Sequence, residues 1–235
     1  MNAACTNLNP DGTRRHVRAA LAAGANREEI LMGLKMASVM AIHSCSLGAP
    51  ILLEESAAAG ARPAAKAAGP TPACDRMRAA GQWNVAWDPF FALDPQWTDE
   101  FMATGVAIYA SKTFTPKEVE LLSIAFDASY THMYAPGTRR HIKGALAAGA
   151  TVEEIMEVLK LCVVQGVQAC NMAVPILAEE LELARGPHGK RADAAAALTG
   201  LDEEWQRQIV TAFAGQRGLR HRDAVCGQID RGEVL

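Results

Sequence analysis

The feature that most constrains the fold of this chain is an internal repeat. When His16 is placed over His141, residues 1–55 align with residues 126–180 without a gap, and 25 of the 55 positions are identical. The longest shared stretches are Gly-Thr-Arg-Arg-His at 12–16 and 137–141, and Ala-Leu-Ala-Ala-Gly-Ala at 20–25 and 145–150. Segments this similar should share one structure. Because two copies are too few for a solenoid, they predict a pseudo-symmetric pair.

The local signals in both copies are helical. In the second copy, His141, Ile142, Ala145 and Leu146 recur at the spacing of one helix face. Gly149 is suited to end that helix in a left-handed conformation, and Thr151 to Glu154 is a capping box for the next one. Alanine is abundant and aromatic residues make up only 6% of the chain, which favours helices over a sheet. The sequence therefore predicts an all-α bundle, duplicated within the chain.

Four segments follow from this pattern. Residues 1–60 are the first repeat, 61–75 an Ala-, Gly- and Pro-rich linker, 76–185 a second and more complete repeat, and 186–235 a C-terminal helical extension. Asp94-Pro95 and Thr115-Pro116 should open helices that run to about Ser111 and about His132. The second repeat thus has a leading helix that the first lacks. Either the start of the first repeat lies further upstream in the natural gene, or the C-terminal helix near Trp205 or a helix of a partner subunit fills the corresponding groove.

Composition excludes several classes of protein. A formal net charge of -3 without a basic cluster argues against nucleic-acid binding. The most apolar stretch, residues 155–178, is interrupted by charged and amide residues, so we expect a buried helix rather than a membrane span. The N-terminus does not resemble a signal peptide, so a cytoplasmic location is expected. None of the six cysteines forms a Cys-x-x-Cys motif, which disfavours a disulfide framework or a zinc site.

The second repeat collects residues that can carry acid–base chemistry. The candidates there are Glu120, His132, Tyr134, Arg140, His141 and Cys170, and the first repeat adds His16 and His43. Histidine is the usual general acid or base near neutral pH, and an arginine can hold a carboxylate. Each residue also has a plain structural role available: a core histidine, a buried cysteine or a solvated arginine. No metal site is predicted, because the spacing of Glu120, His132 and His141 matches no standard motif.

Residues Pro116 to Leu121, His141 and Gly149 to Ile155, followed by Gly166 and Pro175, resemble the carboxymuconolactone decarboxylase / AhpD-like superfamily. The resemblance implies an all-α bundle that assembles into trimers or hexamers. It also implies one of two reactions. One is cofactor-free decarboxylation of a lactone acid in aromatic catabolism, and the other is thiol-dependent peroxide reduction by Cys-x-x-Cys followed by His. When the motif is aligned on His141, its thiols fall at Tyr134 and Gly137, which argues against the second reaction.

The leading hypothesis is a cofactor-free decarboxylase- or isomerase-like enzyme that acts on a small carboxylated lactone or ring compound. His141 would be the general acid/base, supported by His132 and Glu120, while Tyr134, Arg140, Cys170, His16 and His43 would bind substrate. Two alternatives stay open. One is a thiol-redox protein that uses isolated cysteines, and the other is a non-catalytic oligomeric binding protein on the same scaffold.

Overall fold

The computed structural model describes residues 9–62, 66, 69–166, 173, 176 and 177. Within these ranges the chain is helical and contains no strand, which confirms the all-α prediction. The helices are α1 (Pro10–Ala22), α2 (Arg27–Val39), α3 (His43–Ala58), α4 (Pro72–Ala79), α5 (Asp88–Leu93), α6 (Pro95–Ala110), α7 (Pro116–Asp127), α8 (Ala135–Ala147) and α9 (Val152–Val164). Short 3-10 turns occupy Met40–Ile42 and Val85–Trp87. The predicted C-terminal extension, with Trp205, lies outside the described residues.

Local capping residues set most of the helix starts. Asn26 and Glu29 form a capping box at α2, and Thr115 and Glu118 form another at α7. Helix α6 begins as predicted, with the Asp94 side chain accepting a hydrogen bond from the backbone N–H of Trp97. The bounds of α1 and α8, and those of α2 and α9, correspond at the repeat offset of 125 residues. Superposition of the two whole copies, and the division of the chain into four segments, stay predictions.

The first hydrophobic core lies among α3, α4, α5 and α6. Its buried members are Ile42, Ala49, Ala73, Cys74, Met77, Trp87, Phe90 and Met102. An aromatic cluster packs here, with Trp83 edge-on to both Trp87 and Phe91. The buried carboxylate of Asp99 accepts hydrogen bonds from the backbone N–H groups of Ala73 and Cys74, at 2.8 Å each. This long-range cap starts α4 at Pro72, inside the segment that the sequence suggested was linker.

Helix α7 joins the other two cores. On one side Val119 and Phe126 pack with Met36 and Ala37 of α2 and Ile108 of α6. On the other side Ile124 packs with Ala145 of α8, and Ala150 and Ile155 complete this third core. Because both faces of α7 are buried in this way, its polar residues between the two cores are held inside the protein.

Helix α7 is shorter than predicted. It ends at Asp127, five residues before His132, and the chain then makes a tight turn in which Met133 has φ of 51°. The buried Ser129 hydroxyl donates to the Phe126 carbonyl at 3.0 Å, and the Tyr134 N–H donates to the Asp127 carbonyl at 2.8 Å. These bonds satisfy the last turn of the helix in place of further helical bonds. His132 therefore lies in a turn, not in a helix.

The continuous helical run Arg27–Ala58 is long and apolar enough to cross a membrane, judged by length and composition alone. A core helix of a globular protein passes the same test. In this run, Met36, Ala37 and Ile42 are buried in two hydrophobic cores, and His43 belongs to a polar cluster described below. The segment is thus part of the helical bundle, while the cytoplasmic location and the absence of membrane and nucleic-acid partners stay predictions.

Candidate active site

A buried Glu120–His141 pair lies between α7 and α8. His141 is 1% exposed, and its Nδ1 lies 2.7 Å from Glu120 Oε2. Gly144 makes this approach possible, since a Cβ at that position would stand 2.6 Å from Glu120 Cδ. Burial lowers the pKa of His141, and the hydrogen bond with Glu120 acts in the opposite direction. The geometry is that of a histidine oriented by a carboxylate, as the sequence suggested.

Arg140 fixes the tautomer of this histidine. Its Nη2 lies 2.8 Å from His141 Nε2 and 3.4 Å from the Tyr109 hydroxyl. A guanidinium group can only donate, so Nε2 accepts and Nδ1 carries the proton that is donated to Glu120. The guanidinium carbon also stands 5.7 Å from the centre of the Trp87 ring. The structural alternative of a solvated arginine does not describe Arg140, because α8 directs its guanidinium towards His141. Its role in substrate binding stays a prediction.

Asp127 is a site residue that the sequence reasoning missed. It is the last residue of α7, is 0% exposed, and neither carboxylate oxygen has a hydrogen-bond partner among the described residues. Its Oδ2 lies 3.7 Å from His141 Nε2, and its Oδ1 lies 3.6 Å from His43 Nδ1. Burial raises the pKa of Asp127 to about 7, while Arg140 acts to lower it. The available signal was its position seven residues after Glu120, on the same helix face.

Gly137 provides the space for Asp127. A Cβ on Gly137 would collide with the Asp127 carboxylate and would stand 2.7 Å from Cδ1 of Tyr134. Glycines at 137 and 144 thus let α8 lie close to two acidic residues of α7. The repeat alignment could not reveal this role, because most of α7 precedes residue 126, where the alignment begins.

The second half of the cluster comes from the turn after α7 and from the first repeat. His43, at the start of α3, has its Nδ1 2.6 Å from His132 Nε2, and its ring stacks on Tyr134 with centres 3.7 Å apart. Burial lowers the pKa of His43 to about 3, with smaller contributions from the other histidines and Arg140, and burial also lowers the pKa of His132. Both histidines are therefore neutral around pH 7.

Six of the eight predicted site residues are brought together: Glu120, His132, Tyr134, Arg140, His141 and His43. His16 lies on α1, and none of the contacts described above involves it. Cys170 lies outside the described residues. The predicted positions of the missing thiols, Tyr134 and Gly137, do lie in the cluster, where they contact His43 and Asp127.

The described residues form two grooves near this cluster. The larger, about 760 Å³, is mainly apolar and is lined by Met133, Arg139 and Ile142 among others, without any of the buried acid–base groups. The smaller, about 540 Å³, is lined by Tyr109 and Glu120. The smaller groove therefore reaches the cluster from the Glu120 side, and we take it as the approach for a small molecule despite the greater volume of the other.

The environments of Cys74 and Cys162 do not favour redox chemistry. Cys74 and Cys162 are buried and Cys45 is partly exposed, and all three are free thiols. Burial raises the pKa of Cys74 to about 12, and it also raises the pKa of Cys162. Thiol-dependent peroxide reduction needs the thiolate, so these environments are unsuited to it.

The fold and the cluster define an all-α protein with a buried acid–base pair of one histidine and one carboxylate. Residues 95–179 match the model of the carboxymuconolactone decarboxylase family. The chain is also similar to a protein of Burkholderia xenovorans LB400, provisionally named a gamma-carboxymuconolactone decarboxylase subunit and solved as a crystal structure at 1.70 Å resolution. The identity is 33% and the TM-score 0.65, over 74% of this chain and 72% of that one. No curated protein matches significantly. The chain belongs to the carboxymuconolactone decarboxylase family.

Proposed function

We propose that this protein is a carboxy-lyase that removes carbon dioxide from a small carboxylated lactone, with Glu120 and His141 as its acid–base pair. The observation that carries the proposal is the 2.7 Å contact between Glu120 and a fully buried His141 whose other nitrogen faces Arg140 and Asp127. Family membership supports the reaction class. The provisional name of the relative supports the substrate class.

The reaction needs no external oxidant or reductant. The bond between the carboxylate carbon and the ring breaks, carbon dioxide leaves, and the electron pair passes into the conjugated lactone carbonyl. One proton is then delivered to the carbon. A donor near the developing oxyanion and a proton donor near the carbon are the two requirements. His141 Nε2 takes up a proton from solvent and is then suited to deliver it to the carbon, because Glu120 stabilises the imidazolium that forms in between.

Arg140 is assigned to binding a substrate carboxylate. Its guanidinium is held by the Tyr109 hydroxyl and lies against Trp87, so it is already oriented when substrate arrives. A cation placed on the departing carboxylate would stabilise the ground state and slow the reaction. We therefore assign Arg140 to a carboxylate that stays on the product.

Release of carbon dioxide from γ-carboxymuconolactone tests the proposal. Wild-type protein should release it, and Glu120→Gln should lower kcat by roughly 10-fold or more, since the neutral amide stabilises an imidazolium less well. Glu153→Gln, on an exposed part of α9, is the matched control and should have no effect. A wild-type protein that binds the lactone acid and releases nothing would instead be a non-catalytic binding scaffold.

We also propose that the chain self-associates. Four large apolar side chains at repeat-equivalent positions are each about half exposed: Leu21 and Leu146, and Leu31 and Met156. A second copy of the same chain is a partner with matching apolar surface, and two equivalent patches on one chain suit a symmetric assembly. Light scattering coupled to size exclusion should give a mass several times 25 kDa, and a monomer would contradict this.

A further inference from the structure

We propose that His43, Asp127 and His132 form a binding site for one divalent transition-metal ion. The three residues each offer one ligand atom, and these atoms all lie within 4.8 Å of one another. They come from α3, from the end of α7 and from the turn that follows it. The site therefore combines the first repeat with the second, which the sequence spacing could not show.

The distances suit such an ion. Zinc–nitrogen and zinc–oxygen bonds are about 2 Å long, so ligand atoms on one ion stand roughly 3–4 Å apart. His43 Nδ1 and Asp127 Oδ1 are already 3.6 Å apart. His43 Nδ1 and His132 Nε2 face each other at 2.6 Å. Moving the two rings apart by less than about one ångström would bring these atoms to the spacing of ligands on one ion. His132 lies in a surface turn and can make that movement.

The unsatisfied carboxylate is the second, independent observation. Asp127 is fully buried, and neither of its oxygens has a hydrogen-bond partner among the described residues. A buried charge of this kind is normally paired or bound to a metal. Two neutral imidazoles and one carboxylate are a donor set typical of zinc and of non-haem iron(II).

The other charges around the site are compatible with a cation. Glu120 and Asp127 carry two negative charges when ionised and Arg140 carries one positive charge, which leaves a net charge of -1. Arg140 opposes the ion, but its guanidinium is directed to His141 and Tyr109 rather than to His43. A divalent ion would bring the site to +1, and so would favour a carboxylated ligand. This last point rests on the proposed function, whereas metal binding itself does not.

Direct titration tests the site. Protein stripped with a chelator is titrated with Zn²⁺ in a calorimeter, and with Co²⁺ while its visible absorption is recorded. We expect one ion per chain, and at least about 100-fold weaker binding by His43→Ala and Asp127→Asn, since even supporting partners of metal ligands are worth 10- to 100-fold. His16→Ala, a histidine substitution on α1, should bind like wild type.

Two further measurements control for misfolding of the variants and for metal binding by cysteines. His132 lies in a surface turn, so the His132→Asn variant should keep the circular dichroism of the wild type. It should lose the rise in melting temperature that Zn²⁺ causes in the wild type. An intense thiolate band in the Co²⁺ spectrum would assign the ion to cysteines and overturn the site, as would undiminished binding by His43→Ala and Asp127→Asn. Zn²⁺ binding without release of carbon dioxide would overturn the proposed reaction and leave the metal site standing.

Discussion

The first and second repeats are locally alike, yet their equivalent histidines differ. α1 and α8 begin and end at equivalent positions, and each contains the sequence Gly-Thr-Arg-Arg-His. His141 is nevertheless buried against Glu120, whereas His16 is only half-buried. The difference comes from α7, which packs on α8 and supplies Glu120 to His141. A repeated segment thus supplies the histidine, but the helices packed around it determine whether that histidine can do chemistry.

The largest expected difference is in the reactivity of cysteine thiols between the two parts of the chain. Cys45 of the first copy is partly exposed, whereas Cys74 and the second copy's Cys162 are buried. A raised pKa means less thiolate at a given pH, and a change from 9 to about 12 lowers the thiolate fraction of Cys74 at pH 8 by roughly 10³-fold. Mass spectrometry after labelling at pH 8 should find Cys45 modified before Cys74 and Cys162. Rapid labelling of Cys74 and Cys162 in folded protein would revive the thiol-redox alternative.

The equivalent histidines provide the second test. His141→Ala should lower kcat for carbon dioxide release by about 10²-fold or more, which is the usual contribution of a general acid. His16→Ala should change it by less than about 3-fold, because Glu120 is paired with His141 rather than with His16. Equal losses in both variants would mean that the two copies each carry a site.

Position 144 gives a smaller but more specific test. In Gly144→Ala the new Cβ displaces the Glu120 carboxyl group, which lies at the end of a flexible side chain. We therefore expect little loss of stability but roughly 10-fold lower activity, since His141 loses its hydrogen bond. The first copy has alanine here, and Ala19→Gly should cost only about 0.5–1 kcal/mol of helix stability. Kinetics and urea unfolding of both variants check this, and unchanged activity of Gly144→Ala would argue against the pair.

The smallest contrast is expected at the helix caps, where the copies agree. Asn26 caps α2, and Thr151 makes the same pair of hydrogen bonds with Glu154 at α9. Asn26→Ala and Thr151→Ala should each lower the free energy of unfolding by about 1 kcal/mol. Urea unfolding measures both, and a much larger loss for one variant would show that its cap also supports tertiary packing.

Features that depend only on residues close together in the sequence were predictable. The Thr115-Pro116 start of α7 and the left-handed Gly149 are local, so their residue types decide them. The partnership of a glutamate with a histidine was also predictable, because both lie on helices of one repeat. The early end of α7 was missed, since it depends on hydrogen bonds of the buried Ser129.

Contacts between distant segments were not predictable in the same way. His43 and His132 are 89 residues apart, and only the packing of α3 against the rest of the bundle brings them together. Asp127 was missed because its importance comes from burial without a partner, which no residue pattern displays. Sequence reasoning therefore named His43 and His132 as separate candidates without showing that they lie together, and it missed Asp127.

The placement of His43 has a consequence for how this chain can be divided. A site shared by two repeats on one polypeptide keeps its halves at a high effective concentration, set by the connecting segment rather than by the amount of protein in solution. If the repeats were produced as two separate chains, assembly of the His43 side of the site would become concentration-dependent. The presence of both repeats on one chain thus removes dilution as a limit on the complete site.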